Sequence, residues 1–334
     1  MIPANDDRGS RLLADIGGTN ARFALVAADG SEQNAVLRCQ DHRSPAEAAR
    51  AFLAGLGPHQ PPRWGAFAVA APVLEDRIAL TNLDWSFSIA ETESALGLER
   101  LTVVNDFTAV ALAVPQLGAA DTRLVGSADA PLVGPDGRHR EAPVLVLGPG
   151  SGLGVATLVP SCSGLMPLAG EGGHVTIAAT DAMEAAVLAR LRRQYGHVSA
   201  ERVVSGPGLV NLYQTLAALE GAHPSRRLPV EITQAALAGS DPLCVAALDL
   251  FYALLGTVAA DAALTVGARG GVYLAGGILP RLGDHFLASR FRARFETKGR
   301  LSPWLAAIPT RLITHPLPAF LGLRALAGPA PLAP

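Results

Sequence analysis

The 334-residue chain contains a single lysine, Lys298. A phosphate-binding loop that ends in Gly-Lys-Ser or Gly-Lys-Thr needs a lysine directly after its glycines, and a protein-kinase fold needs one on an early strand. Neither can be built here, so any phosphate chemistry must use another cradle. Cysteine is almost as scarce. Cys39, Cys162 and Cys244 lie far apart and form no CxxC pair, which argues against a disulfide framework or a zinc knuckle and suits a reducing, cytoplasmic setting. There is no basic block and the net charge is −2, so nothing points to nucleic acid or an anionic membrane as partner. Around Asp6, Asp7, Arg8 and Arg11 there is no secretory apolar region. The most apolar long stretch, residues 243–268, is interrupted by Asp249 and Asp261 and is expected to be a buried helix rather than a membrane span. With 49% hydrophobic and 17% charged residues the chain has the balance of a folded protein, and its length suggests two lobes.

An apolar strand over 12–14 runs into Asp15-Ile16-Gly17-Gly18-Thr19-Asn20, and a second strand is expected over 21–26. Ser44-Pro45-Ala46-Glu47 opens a helix as a capping box, and that helix stops near Gly57-Pro58. Buried strands are expected over 64–73 and 101–104, then a short helix over 107–114 ended by Pro115. Residues 144–147 repeat the opening device: an apolar strand, a glycine turn over 148–154, and a continuing strand over 155–159. The repeat predicts two related α/β lobes facing each other, the smaller from 1–115 with 308–334 and the larger from 116–307. Helices are expected over 180–195, 207–219, 280–295 and 319–327, strands over 272–275 and 310–314, and a frayed tail over 329–334.

Glycines in the first turn let backbone N–H groups approach phosphate oxygens with no Cβ in the way, and Thr19 adds a hydroxyl. Asp15, at a strand end, can hold a magnesium ion through water. A plain hairpin turn would use the same residues. The second turn is not a GxGxxG fingerprint, because a strand follows it where that fingerprint needs a helix. Two such turns, each after a buried strand, point to a nucleotide clamped between lobes. Val103-Val104-Asn105-Asp106-Phe107 ends a strand in an amide and a carboxylate, where α/β folds bind ligands. Asp106 could take a proton from a substrate hydroxyl and Asn105 could bond neighbouring hydroxyls. Either could instead merely cap the next helix.

Glu171 and His174 stand three apart in Gly170-Glu171-Gly172-Gly173-His174 and could serve a polyhydroxylated ligand. A metal site or a solvated loop are the rival readings of that loop. Glu201 is another candidate sugar contact, or a glutamate complementing a helix dipole. Ser205-Gly206-Pro207-Gly208 opens a helix whose N-terminus could receive an anion. Gly276-Gly277, after an apolar strand, could seat an adenine ring or serve tight packing.

In their order along the chain, residues 15–22, Leu80-Thr81-Asn82, Asn105-Asp106-Phe107-Thr108-Ala109, the 148–154 turn, Glu171-Gly172-Gly173-His174, Ser199-Ala200-Glu201-Arg202-Val203 with Ser205-Gly206-Pro207-Gly208-Leu209, and Gly276-Gly277-Ile278 resemble the bacterial glucokinase family. The resemblance spans nearly the whole chain. It implies the hexokinase–actin–Hsp70 type of fold: two α/β lobes of the ribonuclease H-like, actin-like ATPase type around a central cleft. It further implies ATP with Mg2+ as donor, D-glucose as acceptor, glucose 6-phosphate as product, and a homodimer. By the same resemblance Asp106 is the catalytic base, and Asn105, Asp106, Glu171, His174 and Glu201 bind sugar. Asp15 is the magnesium residue, and Ala14, Asp15, Ile16, Gly17, Gly18 and Thr19 form the first phosphate site. Gly150, Ser151, Gly152, Gly276 and Gly277 complete the nucleotide site. The cysteine-rich zinc motif of the related ROK kinases is missing, which implies the zinc-free branch. Pro149 departs from the family pattern, since it fixes φ and removes a donor where a small residue is expected.

Three rivals remain at this stage. Another hexose, an amino sugar or a polyphosphate donor would keep the reaction class. A non-enzymatic sugar sensor would use the same residues, although the residues before Leu12 are too few for a DNA-binding domain. An actin-like or chaperone-like ATPase would not need the set Asn105, Asp106, Glu171, His174 and Glu201. Because the sugar candidates fall on both expected lobes, glucose is expected to close the cleft.

Overall fold

The computed structural model describes residues 9–80, 83–128, 142–162, 164–223 and 225–328. Thr81 and Asn82 of the family-like motif, and the 329–334 tail, lie outside the described residues. The chain divides into two compact units, one of Met1–Gln116 with Pro316–Pro334 and the other of Leu117–His315.

In the first unit, β1 (Arg11–Ile16), β2 (Asn20–Val26) and β3 (Glu32–Arg38) form an antiparallel meander with Asp15 opposite Arg22. Strand β1 also pairs in parallel with β4 (Trp64–Val69), and β4 with β7 (Arg100–Asn105), giving the order β3-β2-β1-β4-β7. Between them lie α1 (Pro45–Gly55), the small hairpin β5 (Arg77–Ala79) and β6 (Ser86–Ser88), and α2 (Ile89–Leu96). Every residue of β4 is buried, as expected for a central parallel strand covered on both faces. Phe23 of β2 stacks on Phe52 of α1 at 5.6 Å between centroids and meets Phe67 of β4 edge-on. Helix α3 (Asp106–Ala113) follows β7 without a break. The predicted capping box at α1 is altered: Ser44 accepts from the Glu47 N–H, but Glu47 reaches back to the N–H of Arg43 rather than Ser44.

The second unit contains β8 (Thr122–Leu124), β9 (Val144–Pro149), β10 (Leu153–Ser161) and β11 (Gly164–Gly170), then α4 (Ala182–Tyr195), α5 (Gly206–Leu219), α6 (Pro229–Leu237) and α7 (Pro242–Val266). After these come β12 (Gly271–Leu274), α8 (Leu279–Leu287), α9 (Phe291–Glu296), α10 (Ser302–Ala306) and β13 (Thr310–Ile313). The sheet order is β11-β10-β9-β12-β13-β8. Strands β9, β10 and β11 form an antiparallel meander, β9-β12-β13 run parallel, and β8 closes the edge antiparallel to β13. Apart from β8, this reproduces the first sheet strand for strand. The chain returns to the first unit as α11 (Pro318–Leu326), which packs on α3, β1 and β4.

Two expectations need correcting. The strand over 310–313 pairs with β12, so it belongs to the second unit rather than to the returning part of the first. The single helix expected over 280–295 is interrupted twice: Gly283, at φ +50°, kinks α8, and Ala288, Ser289 and Arg290 separate α8 from α9. Helix α7 is long and apolar enough to cross a bilayer, yet 78% of its apolar window is buried, and it forms the spine of this unit's core.

Candidate active site

In the first unit, β1, β4 and β7 are parallel, and Ile16, Val69 and Asn105 sit side by side across them. The glycine turn after β1 and the Asn105-Asp106 pair after β7 therefore lie at one edge of the sheet. They are two strand spacings apart, about 10 Å. That edge is where the carboxyl ends of parallel strands gather, the usual ligand edge of α/β sheets.

The turn itself is held by the backbone. Gly17 N–H donates to the Asn20 carbonyl at 3.0 Å, and Cys39 N–H donates to the Thr19 carbonyl at 2.9 Å. Gly18 and Thr19 are exposed. Arg22 donates to the Asp15 carboxylate at 3.2 Å across the hairpin. Burial pushes the Asp15 carboxyl above the usual carboxylate range, and the Arg22 charge and hydrogen bond pull it part of the way back.

Asn105 is the N-cap of α3. Its Oδ1 accepts from the N–H of Phe107 at 2.9 Å and of Thr108 at 3.4 Å, while Nδ2 donates to the Ala71 carbonyl at 3.3 Å. The capping role is thus realised, and it leaves one amide proton uncommitted to these contacts. Asp106 is the first helical residue, half-buried, with one carboxylate oxygen accepting from the Phe107 N–H at 2.9 Å. Two residues on, the buried Thr108 hydroxyl has no hydrogen-bond partner among the described residues.

In the second unit, the turn after β9 packs edge-on against the segment after β12. A Cβ on Gly148 would fall 2.3 Å from the Ala275 carbonyl, and Gly276, at φ +83°, stands where a Cβ would meet the Pro149 carbonyl at 2.4 Å. Tight packing therefore explains Gly276. Gly277 faces open space. Pro149 ends β9 with Leu153 as its partner, and the turn closes through Gly150 N–H to the Gly152 carbonyl at 2.8 Å.

The same turn anchors Glu201 and α5. Glu201 accepts from the Leu153 N–H at 2.8 Å, and the Gly150 carbonyl accepts from the Gly206 N–H at 2.8 Å. Ser205 caps α5, accepting from Gly208 N–H and donating to the Glu201 carbonyl. The first-turn donors of α5 are consequently spent, since Pro207 has none. The anion seat expected at that helix start is not available.

Glu171 precedes and His174 ends a short 3-10 turn, Gly172–His174, after β11. Their side chains are more than half exposed and approach to 3.9 Å. The turn is pressed onto β10: a Cβ on Gly173 would lie 2.2 Å from the Leu153 carbonyl. So the two polar side chains are carried outward on a backbone packed closely against β10. Leu153, which carries no polar side chain, gives Glu201 its amide and Gly173 its seat, and no sequence signal marks it for that task. Among the described residues no cluster of three or more His, Cys, Asp or Glu could hold a metal.

The glucokinase family model matches residues 12–329. A glucokinase of Paramagnetospirillum magneticum is 55% identical over 319 residues, covering 94% of this chain and 96% of that protein. The crystal structure of a glucokinase from an Antarctic psychrotroph superposes with a TM-score of 0.82 at 37% identity, covering 95% of this chain and 98% of that one. The glucokinase of Balamuthia mandrillaris, solved in complex with glucose, shares the fold with a TM-score of 0.75 at 21% identity, covering 96% and 94%. The fold is that of the sugar kinases of the actin-like ATPase type. Sequence and fold agree along nearly the full length, and this chain belongs to the glucokinase family.

Proposed function

We infer that the chain transfers the γ-phosphoryl group of ATP to the 6-hydroxyl of D-glucose, giving glucose 6-phosphate and ADP. The observation that carries the inference is the family match over residues 12–329, with 55% identity to a glucokinase over 94% of the chain. Asp106 is the proposed general base. Its place at the start of α3, after a parallel strand, supports that role, and its own Phe107 amide steadies one oxygen. Asn105, Glu171, His174 and Glu201 are the proposed sugar ligands, Asn105 through its remaining amide proton. Glu201 is oriented for this by the Leu153 amide.

The phosphates are assigned to the turn of Gly17, Gly18 and Thr19, flanked by Ala14 and Ile16, and to Gly150, Ser151 and Gly152. Gly277, open on its Cβ side, is the better of the two candidates for contact with the adenine, and Gly276 shapes the backbone beside it. Asp15 suits Mg2+. That ion takes one or two carboxylates and otherwise prefers phosphates and water, and a carboxyl whose ionised form is disfavoured by burial gains from a cation. Bound there with ATP, the ion would screen the phosphate charge. Phosphoryl transfer needs positioning and charge stabilisation more than covalent chemistry from the protein. The same reading puts the enzyme in the cytoplasm, which the free thiols of Cys39, Cys162 and Cys244 suit.

The test is product formation followed as glucose 6-phosphate, with glucose, mannose, fructose and N-acetylglucosamine as acceptors and ATP or polyphosphate as donor. Glucose with ATP should give the highest kcat/KM. A higher value for another acceptor, or for polyphosphate, would move the assignment to that pair.

A further inference from the structure

The second unit contains a cavity of about 370 Å3 that none of the proposed catalytic steps uses. One wall is the sheet. Thr157 on β10 stands opposite Leu145 on β9 and Leu168 on β11, so the three side chains form a row on one face. The other walls are the second half of α7, through Val258, Ala262 and Val266, and Val175 after the short turn. Leu168 and Val175 are more than half exposed at its rim.

The polar groups of the lining are few, and all but one are engaged. Asp261 pairs with Lys298, the Thr265 hydroxyl donates to the Asp261 carbonyl at 2.7 Å, and Thr176 bonds the His197 ring at 2.8 Å. Thr157 differs. It is 5% exposed, it lines the cavity, and its hydroxyl has no hydrogen-bond partner among the described residues. Its hydroxyl opens onto the cavity, where a bound group can serve as its partner, and valine would fill the strand position equally well. A volume in this range is that of small-molecule pockets, which pair an apolar lining with a few placed polar groups.

We propose that this cavity is a binding site for a small, neutral, largely apolar molecule that carries one hydroxyl or carbonyl group, which bonds to the Thr157 hydroxyl. The absence of an unpaired charge in the lining selects against ions. The assignment does not depend on the sugar-site reading, although Gly170 and Gly172 beside Glu171 contribute to the cavity wall.

The probe is 2-naphthol, titrated by its fluorescence against the full chain, with naphthalene as the analogue lacking the hydroxyl. Saturable one-to-one binding is expected. Thr157→Val, which keeps the shape and removes the hydroxyl, should weaken naphthol about tenfold and leave naphthalene unchanged. Ala262→Phe should fill the space and abolish both, with circular dichroism reporting that the variant is folded. Absence of saturable binding, or equal naphthol affinity in the wild type and Thr157→Val, would overturn the proposal. So would a dimer, seen by light scattering, that Ala262→Phe dissociates, because the occupant would then be a second copy of the chain.

Discussion

Burial raises the pKa of Asp15, with Arg22 compensating only in part. The folded state therefore holds that proton more tightly than the unfolded chain. The group favours folding at acid pH, and this contribution is lost as the pH rises through the raised pKa. At neutral pH the ionised side chain is a cost that function would justify. Asp15→Asn should accordingly keep or raise the thermal midpoint at neutral pH while kcat falls sharply. Unfolding scans at about pH 4 and about pH 7, set beside kcat, check both halves. A lower midpoint at neutral pH with normal kcat would make Asp15 structural. At the sugar loop, Glu171→Gln and His174→Ala should each weaken glucose by about 1–3 kcal/mol, with little change for ATP. Separate calorimetric titrations decide it, and a loss confined to ATP would assign the loop to the nucleotide.

The elements of the second unit meet at contacts that tolerate no added atom and no lost charge. Gly148→Ala would drive a Cβ into the Ala275 backbone, which has no side chain to move aside. A loss of about 1–3 kcal/mol or more is expected in denaturant unfolding. Arg294 of α9 donates to Glu184 of α4 at 2.6 Å, and Glu184 is 1% exposed. Arg294→Ala would leave that buried carboxylate with its two Thr180 hydrogen bonds but without its paired guanidinium, and about 3–5 kcal/mol should be lost. Both turns after β1 and β9 were legible in the sequence because glycine runs after apolar strands are conspicuous. The third strand of each meander was not. Residues 32–38 begin Glu-Gln-Asn and lie at a sheet edge, and β11 is broken up by Gly164, Pro167 and Gly170, so neither shows an apolar period. The break between α8 and α9 was hidden because Phe286 and Phe291 are both buried and keep the apolar pattern running through it. Asp106 and Asn105 could be picked out as strand-end residues. That Asn105 spends most of its amide on a cap and on the Ala71 carbonyl depends on a loop contact no local pattern encodes.

Across the whole molecule the same five-strand order occurs twice, each time with its own buried core. The proposed sugar ligands divide between the two units, Asn105 and Asp106 in one and Glu171, His174 and Glu201 in the other. Glucose is therefore expected to slow amide exchange both at the start of α3 and in the Glu171 loop. At about one hundred times its dissociation constant it should stabilise the fold by about 2.7 kcal/mol. Protection confined to one unit would remove the other unit's residues from the sugar site. Asp106, as the base that takes the proton of the attacking hydroxyl, is the centre of the proposed chemistry. The direct measurement is kcat for Asp106→Asn together with glucose affinity by calorimetry. A fall in kcat of about two to four orders of magnitude with glucose affinity largely kept is expected, and a variant that turns over at a near-normal rate would contradict the role of Asp106 as base.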